Sequence, residues 1–502
     1  MQELLLGASE LLLSPMVWVC LFAGVTSGMI IGAIPGLSAT MGVALLVPFT
    51  FELTIMPALA LLIGIYCGAV YGGTIPAVLF RTPGTPASAA TLLDAYPMMQ
   101  RGEAGRALSL AAVSALVGGV IGTLFLIFLT PQISHFALRF GPAEYFALAV
   151  LGLSLISSLS GASMIKGAIA TVAGLICATV GMDPVSGYPR FLFGSVSLME
   201  GMPFIPVLIG LFALAEVFSG GGAAPVVEEK KKMKLFEWPH MADVVRCKWI
   251  AIRSAVLGTF TGSTPGAGAD IAAFLCYSAA RQQAGKDDVY GRGEPKGIAA
   301  SEAGKTAATS GAMIPLLSLG IPGDSVTAVL IGAFILHGIQ PGPLLFQDHG
   351  ALAYAVLGLM LFAHVAVFIV AFSTARMMMA ALKIDRRFLH AGILLLSLMG
   401  AYALRANVVD CWVALAFGVI GVGMRKTGIP PAPFLLALIL GGMAETNWRR
   451  GLVLNDGSAL FIWQRPISMI LLLVAVVFVT LTVVRQRRPN PDSLLAKKSM
   501  VE

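Results

Sequence analysis

Proline–glycine pairs recur at matched places inside apolar sequence: Pro35-Gly36, Pro83-Gly84, Pro265-Gly266 and Pro322-Gly323. Proline removes a backbone donor and glycine opens dihedrals closed to other residues, so a helix running into such a pair breaks. The chain beyond the break starts a new half-helix. Its unpaired N–H groups and positive dipole end favour an anion. At the first pair this end includes Gly36 and Ser38; at its counterpart, Gly266 and Gly268. The other two breaks read Thr82-Pro83-Gly84-Thr85 and Pro322-Gly323-Asp324-Ser325. The chemistry expected of this set is recognition of a carboxylate-bearing ligand. Arg81 and Lys305 are the neighbouring cations. Arginine binds carboxylate bidentately, although both side chains are also of the kind that snorkels to an interface. Asp270 and Asp324 are the candidates for coupling to Na⁺ or H⁺. No catalytic residue, metal site or cofactor is expected.

Other chemistries fail on spacing. Gly304-Lys305-Thr306 resembles the end of a phosphate-binding loop, but its first glycine would fall at Ala299. There is no HExxH and no GxSxG. The histidines show no metal-ligand spacing, and no cysteine pair reads CxxC, so the thiols are expected as small buried hydrophobes. An enzyme is therefore not expected.

The elements that must position the breaks follow from composition. Of 502 residues only 12% are charged and 57% are hydrophobic, and the mean hydropathy is +0.87. Soluble domains carry about 25% charge. Residues 11–51 form 41 positions without Asp, Glu, Lys or Arg, where one crossing needs about 20. Continuous rather than alternating hydrophobicity excludes a β-barrel. The fold class is an all-α polytopic membrane protein with broken or re-entrant helices. At about 20 residues per crossing it holds about 12–15 membrane elements plus a terminal transmembrane helix. The N-terminus lacks the positive region of a signal peptide. The basic clusters at 230–234, 246–248 and 485–498 read as cytoplasmic loops rather than nucleic-acid contacts.

The halves repeat. Residues 32–39 match 262–269 at an offset of 230, and Ile75-Pro76 and Pro83-Gly84 match Ile314-Pro315 and Pro322-Gly323 at an offset of 239. The expected organisation is a first transmembrane repeat over 1–222, a charged cytoplasmic linker over 223–249, a second repeat over 250–450, and a terminal helix with a basic tail over 451–502. Between the paired motifs the first half has no Lys or Arg over 49–57, while the second has Arg281, Lys286, Arg292, Lys296 and Lys305. After the motifs the asymmetry reverses: Arg101 and Arg106 have no counterpart over 325–350. Equivalent loops are thus expected on opposite faces, giving an inverted-topology repeat with the N-terminus outside and the C-terminus in the cytoplasm.

Longer stretches around these breaks resemble a known family. They are GAIPGLSATMGVALLVPFTF at 32–51, GIYCGAVYGGTIPAVLFRTPGTPASAATLLDAYP at 64–97, GSTPGAGADIAAFLCY at 262–277 and GAMIPLLSLGIPGDSVTAVLIGAFILHGIQPGP at 311–343. They are similar to the large membrane subunit of the tripartite tricarboxylate transporters, along essentially the whole chain. The resemblance implies a translocating subunit in the bacterial inner membrane. Its partners would be a small four-helix membrane subunit and a periplasmic solute-binding protein. Uptake of a carboxylate would be driven by an ion gradient. Members often carry two asparagines after the pair matching Glu302-Ala303; here the chain reads Gly304-Lys305-Thr306. A passive anion channel and a standalone carrier of another organic anion are the alternative readings.

Overall fold

The computed structural model describes residues 7, 12–159, 164–183, 186–220, 239–285, 288–381, 386–403 and 405–487. Most of the expected 223–249 linker and the basic tail from 488 lie outside these. The first half runs α1 (Pro15–Ala33), α2 (Ala39–Leu46), α3 (Ile55–Gly72), α4 (Thr74–Phe80), α5 (Ala89–Gln100), α6 (Ala104–Ala137), α7 (Pro142–Leu159) and α8 (Met164–Ala178). A two-residue hairpin, β1 (Gly181–Met182) and β2 (Pro189–Arg190), follows. The half closes on α9 (Phe204–Leu208), a π-helical turn (Ile209–Leu214) and α10 (Ala215–Phe218). The second half runs α11 (Met241–Ser263), α12 (Gly268–Gln282), α13 (Pro295–Leu319), α14 (Ser325–Leu336), α15 (Leu345–Asp348), α16 (Gly350–Ala381), α17 (Arg386–Ala403), α18 (Val408–Thr427) and α19 (Pro431–Leu454). Then comes α20 (Pro466–Arg487). The fold is that of an all-α polytopic membrane protein. Among the described residues, five helical stretches are long and apolar enough to cross a bilayer: Pro15–Ala33, Ile55–Phe80, Ala104–Ala137, Gly350–Ser373 and Val408–Thr427.

One element boundary differs from the sequence expectation, because charged residues continue into the helix. The linker was drawn to residue 249, yet α11 begins at Met241, and Arg106 pairs with Asp243 of its first turn at 2.6 Å. The helix Pro295–Leu319 likewise carries Glu302 and Lys305 inside the protein. A neutralised pair lets charge enter a buried helix.

The chain packs as two compact units, and neither is a sequence repeat. One comprises Met1–Arg139 with Ser195–Thr427, the other Phe140–Gly194 with Gly428–Glu502. The units cut across the 1–222 and 250–450 boundaries because α7 and α8 of the first half pack on α19 and α20 of the second. In that smaller unit Arg190 binds Glu445 through two nitrogens, at 2.6 and 3.1 Å. Arg449 reaches Asp183 at 2.7 Å.

The larger unit holds every proline–glycine break discussed above. Its framework is two matching helix pairs, α1 with α3 and α11 with α13. Small residues at i and i+4 let backbones touch. A Cβ on Gly28 or Gly32 would stand 2.4 or 2.1 Å from the carbonyl oxygens of Ile65 and Ala69. A Cβ on Gly258 or Gly262 would stand 2.2 Å from those of Gly304 and Ala308. These contacts repeat in register, 230 residues on along one helix and 239 along the other. The long helices then cross over: α6 packs on α11 and α13, while α16 packs on α1 and α3.

The inversion has a structural correlate. Non-equivalent connections meet. Asp94, at 0% exposure, accepts backbone N–H bonds from Gly291, Gly293 and Glu294. The Arg101 guanidinium bonds the Arg292 and Gly293 carbonyls. Basic residues of both halves therefore share one end of the unit. At this end Lys296, 2.7 Å from Asp288, holds that carboxyl below the usual carboxylate range.

Gly262→Ala is expected to lower the thermal midpoint of the detergent-purified chain, since overpacking costs about 1–3 kcal/mol. Gly423→Ala, with nothing within 4 Å of the added Cβ, is the control whose midpoint is expected not to fall. Equal midpoints in both variants would remove the close-packing account.

Candidate functional site

The four breaks are built in two ways. At the first break of each half the glycine after proline takes the left-handed conformation: Gly36 has φ 99° and Gly266 φ 86°, with Gly268 at φ 56°. At the second breaks the left-handed residue lies three positions earlier, at Arg81 (φ 57°) and Gly320 (φ 72°), which are equivalent at the 239 offset. Gly84 and Gly323 serve close approach instead. A Cβ on Gly84 would meet the Gly32 carbonyl at 2.1 Å, and one on Gly323 the Gly262 carbonyl at 2.8 Å. Sequence reasoning gave all four glycines one role; the structure divides it into turning and contact.

The breaks close into a ring. Thr40 of the first meets Ser325 of the last, hydroxyl to hydroxyl at 2.8 Å. Gly266 N–H donates to the Gly323 carbonyl at 2.8 Å, and a Cβ on Gly268 would touch the Asp324 side chain. α12 packs on the Pro86–Ser88 turn beyond the second break, and Asp270 in its first turn lies in the field of Asp324 and Lys305. Gly84 on Gly32 completes the circuit. Within it the first breaks stay open: Gly36 and Asp270 are exposed, and Pro35, Ser38, Pro265 and Gly266 half-buried. The second breaks are sealed, with Gly84, Thr85, Pro322, Gly323 and Asp324 buried. Thr82 and Pro83 are half-buried, and the Thr82 hydroxyl has no hydrogen-bond partner. Ser38 caps α2 by accepting from Met41 N–H at 3.1 Å, whereas no side chain caps α12.

Two cross-repeat latches secure the sealed breaks. Tyr66 on α3 and Lys305 on α13 occupy equivalent positions, 239 apart. The Tyr66 hydroxyl donates to Asp324 Oδ2 at 2.5 Å. Asp324 Oδ1 caps α14 by accepting from Thr327 N–H at 2.8 Å, and the Thr327 hydroxyl accepts from Asp324 N–H in return. This is a capping box with both partners buried. On the other side the Lys305 ammonium donates to Thr74 Oγ1 at 2.6 Å, Glu302 Oε1 at 2.8 Å and Ser88 Oγ at 3.0 Å. Its three protons are thereby used.

Of the residues singled out from the sequence, Pro35, Gly36, Ser38, Pro265, Gly266, Asp270 and Ser325 are exposed or half-buried around the ring. Gly268 is buried against Asp324, and Thr82 and Pro83 are half-buried with the Thr82 hydroxyl itself buried. Gly84, Thr85, Pro322, Gly323, Asp324 and Lys305 form its sealed frame. Arg81 stands apart: its side chain is exposed and lies over the Tyr96 ring, 5.8 Å from the centroid. Tyr66, Thr74, Ser88 and Glu302 were not foreseen as a cluster. Only applying the 239 offset to Lys305 would have pointed to Tyr66. Glu216, noted only as the end of an apolar run, also belongs here. A Cβ on Gly36 would lie 2.7 Å from its Oε1, and Arg425 pairs with it. A π-helical turn immediately precedes it, a feature frequent at functional sites.

Comparison with known proteins supplies the setting. Residues 18–436 match the tripartite tricarboxylate transporter TctA family. The chain is 34% identical, over 97% of both chains, to an uncharacterized 52.8 kDa protein in the TAR-I ttuC' 3' region of Agrobacterium vitis. It is 32% identical, over 46% of its length and 97% of the relative, to an uncharacterized protein in the TAR-II ttuC' 3' region of the same organism. No solved structure matches.

Tyr66→Phe removes one hydrogen bond to a carboxylate, worth about 1.5–3 kcal/mol. The purified variant is expected to melt several degrees lower in a thermal unfolding assay while still inserting. An unchanged midpoint would mean that the Tyr66–Asp324 contact does not hold the repeats.

Proposed function

The chain belongs to the tripartite tricarboxylate transporter family, a transporter family and not an enzyme family, and from this premise we propose that it is the translocating subunit of a tripartite secondary importer of a tri- or dicarboxylate. The observation that carries this reading is the ring of breaks at the junction of the two repeats. An uncapped helix start at α12, the open backbone at Gly36 and Gly266 and the unpartnered Thr82 hydroxyl suit carboxylate oxygens. Irregular backbone at membrane depth fits a protein that lines a cavity there.

In this reading the substrate sits between the first breaks, and motion of one repeat-derived part against the other alternates access. The coupling cation, Na⁺ or H⁺, is bound at Asp270. Asp324 is already engaged by its helix cap and Tyr66. The working assembly adds a small four-helix membrane subunit and a periplasmic solute-binding protein. It sits in the bacterial inner membrane, with the basic end of the larger unit in the cytoplasm, the N-terminus periplasmic and the C-terminus cytoplasmic.

Uptake of labelled citrate and other carboxylates into vesicles holding the full assembly tests this. Gly36→Leu and Gly266→Leu, each placing a branched side chain at a left-handed glycine, are expected to reduce uptake at least ten-fold at normal membrane abundance. Normal uptake in both variants would remove the first breaks from the pathway. Flux that neither saturates nor follows an ion gradient would make the protein a channel.

A further inference from the structure

The Lys305 ammonium has surroundings unusual for a lysine. It and Glu302 are both at 0% exposure. Three oxygens surround it at 2.6–3.0 Å: two hydroxyls, Thr74 Oγ1 and Ser88 Oγ, and one carboxylate oxygen, Glu302 Oε1. The same Glu302 oxygen accepts the hydroxyl protons of Thr74, at 2.9 Å, and Thr91, at 2.6 Å. The second carboxylate oxygen, Glu302 Oε2, is buried and has no hydrogen-bond partner. Hydroxyl and carboxylate oxygens are the ligands hard cations prefer. One negative charge against one positive charge leaves the site neutral.

The repeat does not require this arrangement. At the 239 offset Lys305 corresponds to Tyr66 and Glu302 to Ile63. The carboxylate and the ammonium therefore occur together in one half only, as a charge-balanced pair. Thr74 precedes the Arg81–Thr85 break, whose Gly84 and Thr85 are buried, and Ser88 follows it. A cation held between them staples the break shut against α13.

We propose that the Lys305 ammonium is a tethered substitute for an alkali-metal ion, and that the cage of Thr74, Ser88 and Glu302 binds Na⁺ once the side chain is shortened. Glu302 Oε2, unused beside the ammonium, becomes the further ligand that a bidentate carboxylate offers a metal. The site is separate from the proposed coupling position at Asp270. The inference concerns cation binding by the folded chain, so it stands or falls independently of the transport reading.

The test is thermal unfolding of the detergent-purified full chain in NaCl against choline chloride at equal ionic strength. Lys305→Ala leaves Glu302 buried without its partner, a strongly destabilising change. Its midpoint is expected to fall in choline and to recover by at least half, saturably, as Na⁺ is added. The recovery is expected to vanish in Glu302→Gln/Lys305→Ala, and the unmodified chain is expected to respond equally to both salts. Lys305→Gln, closer in volume and still uncharged, is read the same way should the alanine variant not be purified. Equal midpoints for the single variants in both salts would overturn the proposal. So would a Na⁺ shift that persists in the double variant, or failure of both single variants to fold in Na⁺.

Discussion

Every backbone N–H and carbonyl inside a bilayer must find a partner within the protein or in a cavity it lines, and this chain breaks its helices at four proline–glycine pairs in apolar sequence. The packing of α1 on α3 and of α11 on α13 makes that tolerable. Glycines at four-residue spacing bring the helices into backbone contact, and the sealed breaks are then laid onto the same surfaces. Gly84 rests on the Gly32 carbonyl as Gly323 rests on that of Gly262. The close approach of the first helix pair is thus also the seat of the second break. One constraint, small residues in register, sets both the framework and the position of the site.

Much of this was readable in the residue string because small residues and proline act through the backbone. The proline–glycine pairs and the two offsets point to the repeat and the breaks, and the longer stretches around them point to the family. Side chains that act across the repeats were not readable in the same way. Tyr66 looks like one more aromatic in an apolar helix until Asp324 stands 2.5 Å from its hydroxyl. Charged side chains were least readable. The helix runs through Lys305, and although Glu302 three residues earlier is a local partner, no local signal shows that Thr74 and Ser88 complete its surroundings. The type and place of Arg81 allow either a carboxylate ligand or an interface anchor. Its backbone instead supplies the left-handed turn that Gly320 supplies in the other half, and its side chain lies over Tyr96.

The two kinds of break divide the labour of the site. The first pair, around Gly36 and Gly266, keeps accessible backbone and leaves α12 without a side-chain cap. The second pair is buried and held by one latch on each side, a tyrosine on an aspartate cap and a lysine in an oxygen cage. In the proposed reading, a site of this design would recognise an anion mainly through backbone dipoles. In the frame the buried cation is paired, Lys305 with Glu302, whereas Asp270 stands exposed at a first break. Glu216 with Arg425 beside Gly36 repeats the pairing at the edge of the ring.

The central claim is that one carboxylate binds between the first breaks of the two repeats. A cryo-electron microscopy map of the purified chain in lipid nanodiscs, with a carboxylate that the assembly imports, tests it directly. Ligand density is expected among Gly36, Ser38, Gly266, Gly268 and Thr82. Density confined instead to the apolar pocket of about 430 Å³ beside Phe146, Gly441 and Trp448 in the smaller unit would contradict it.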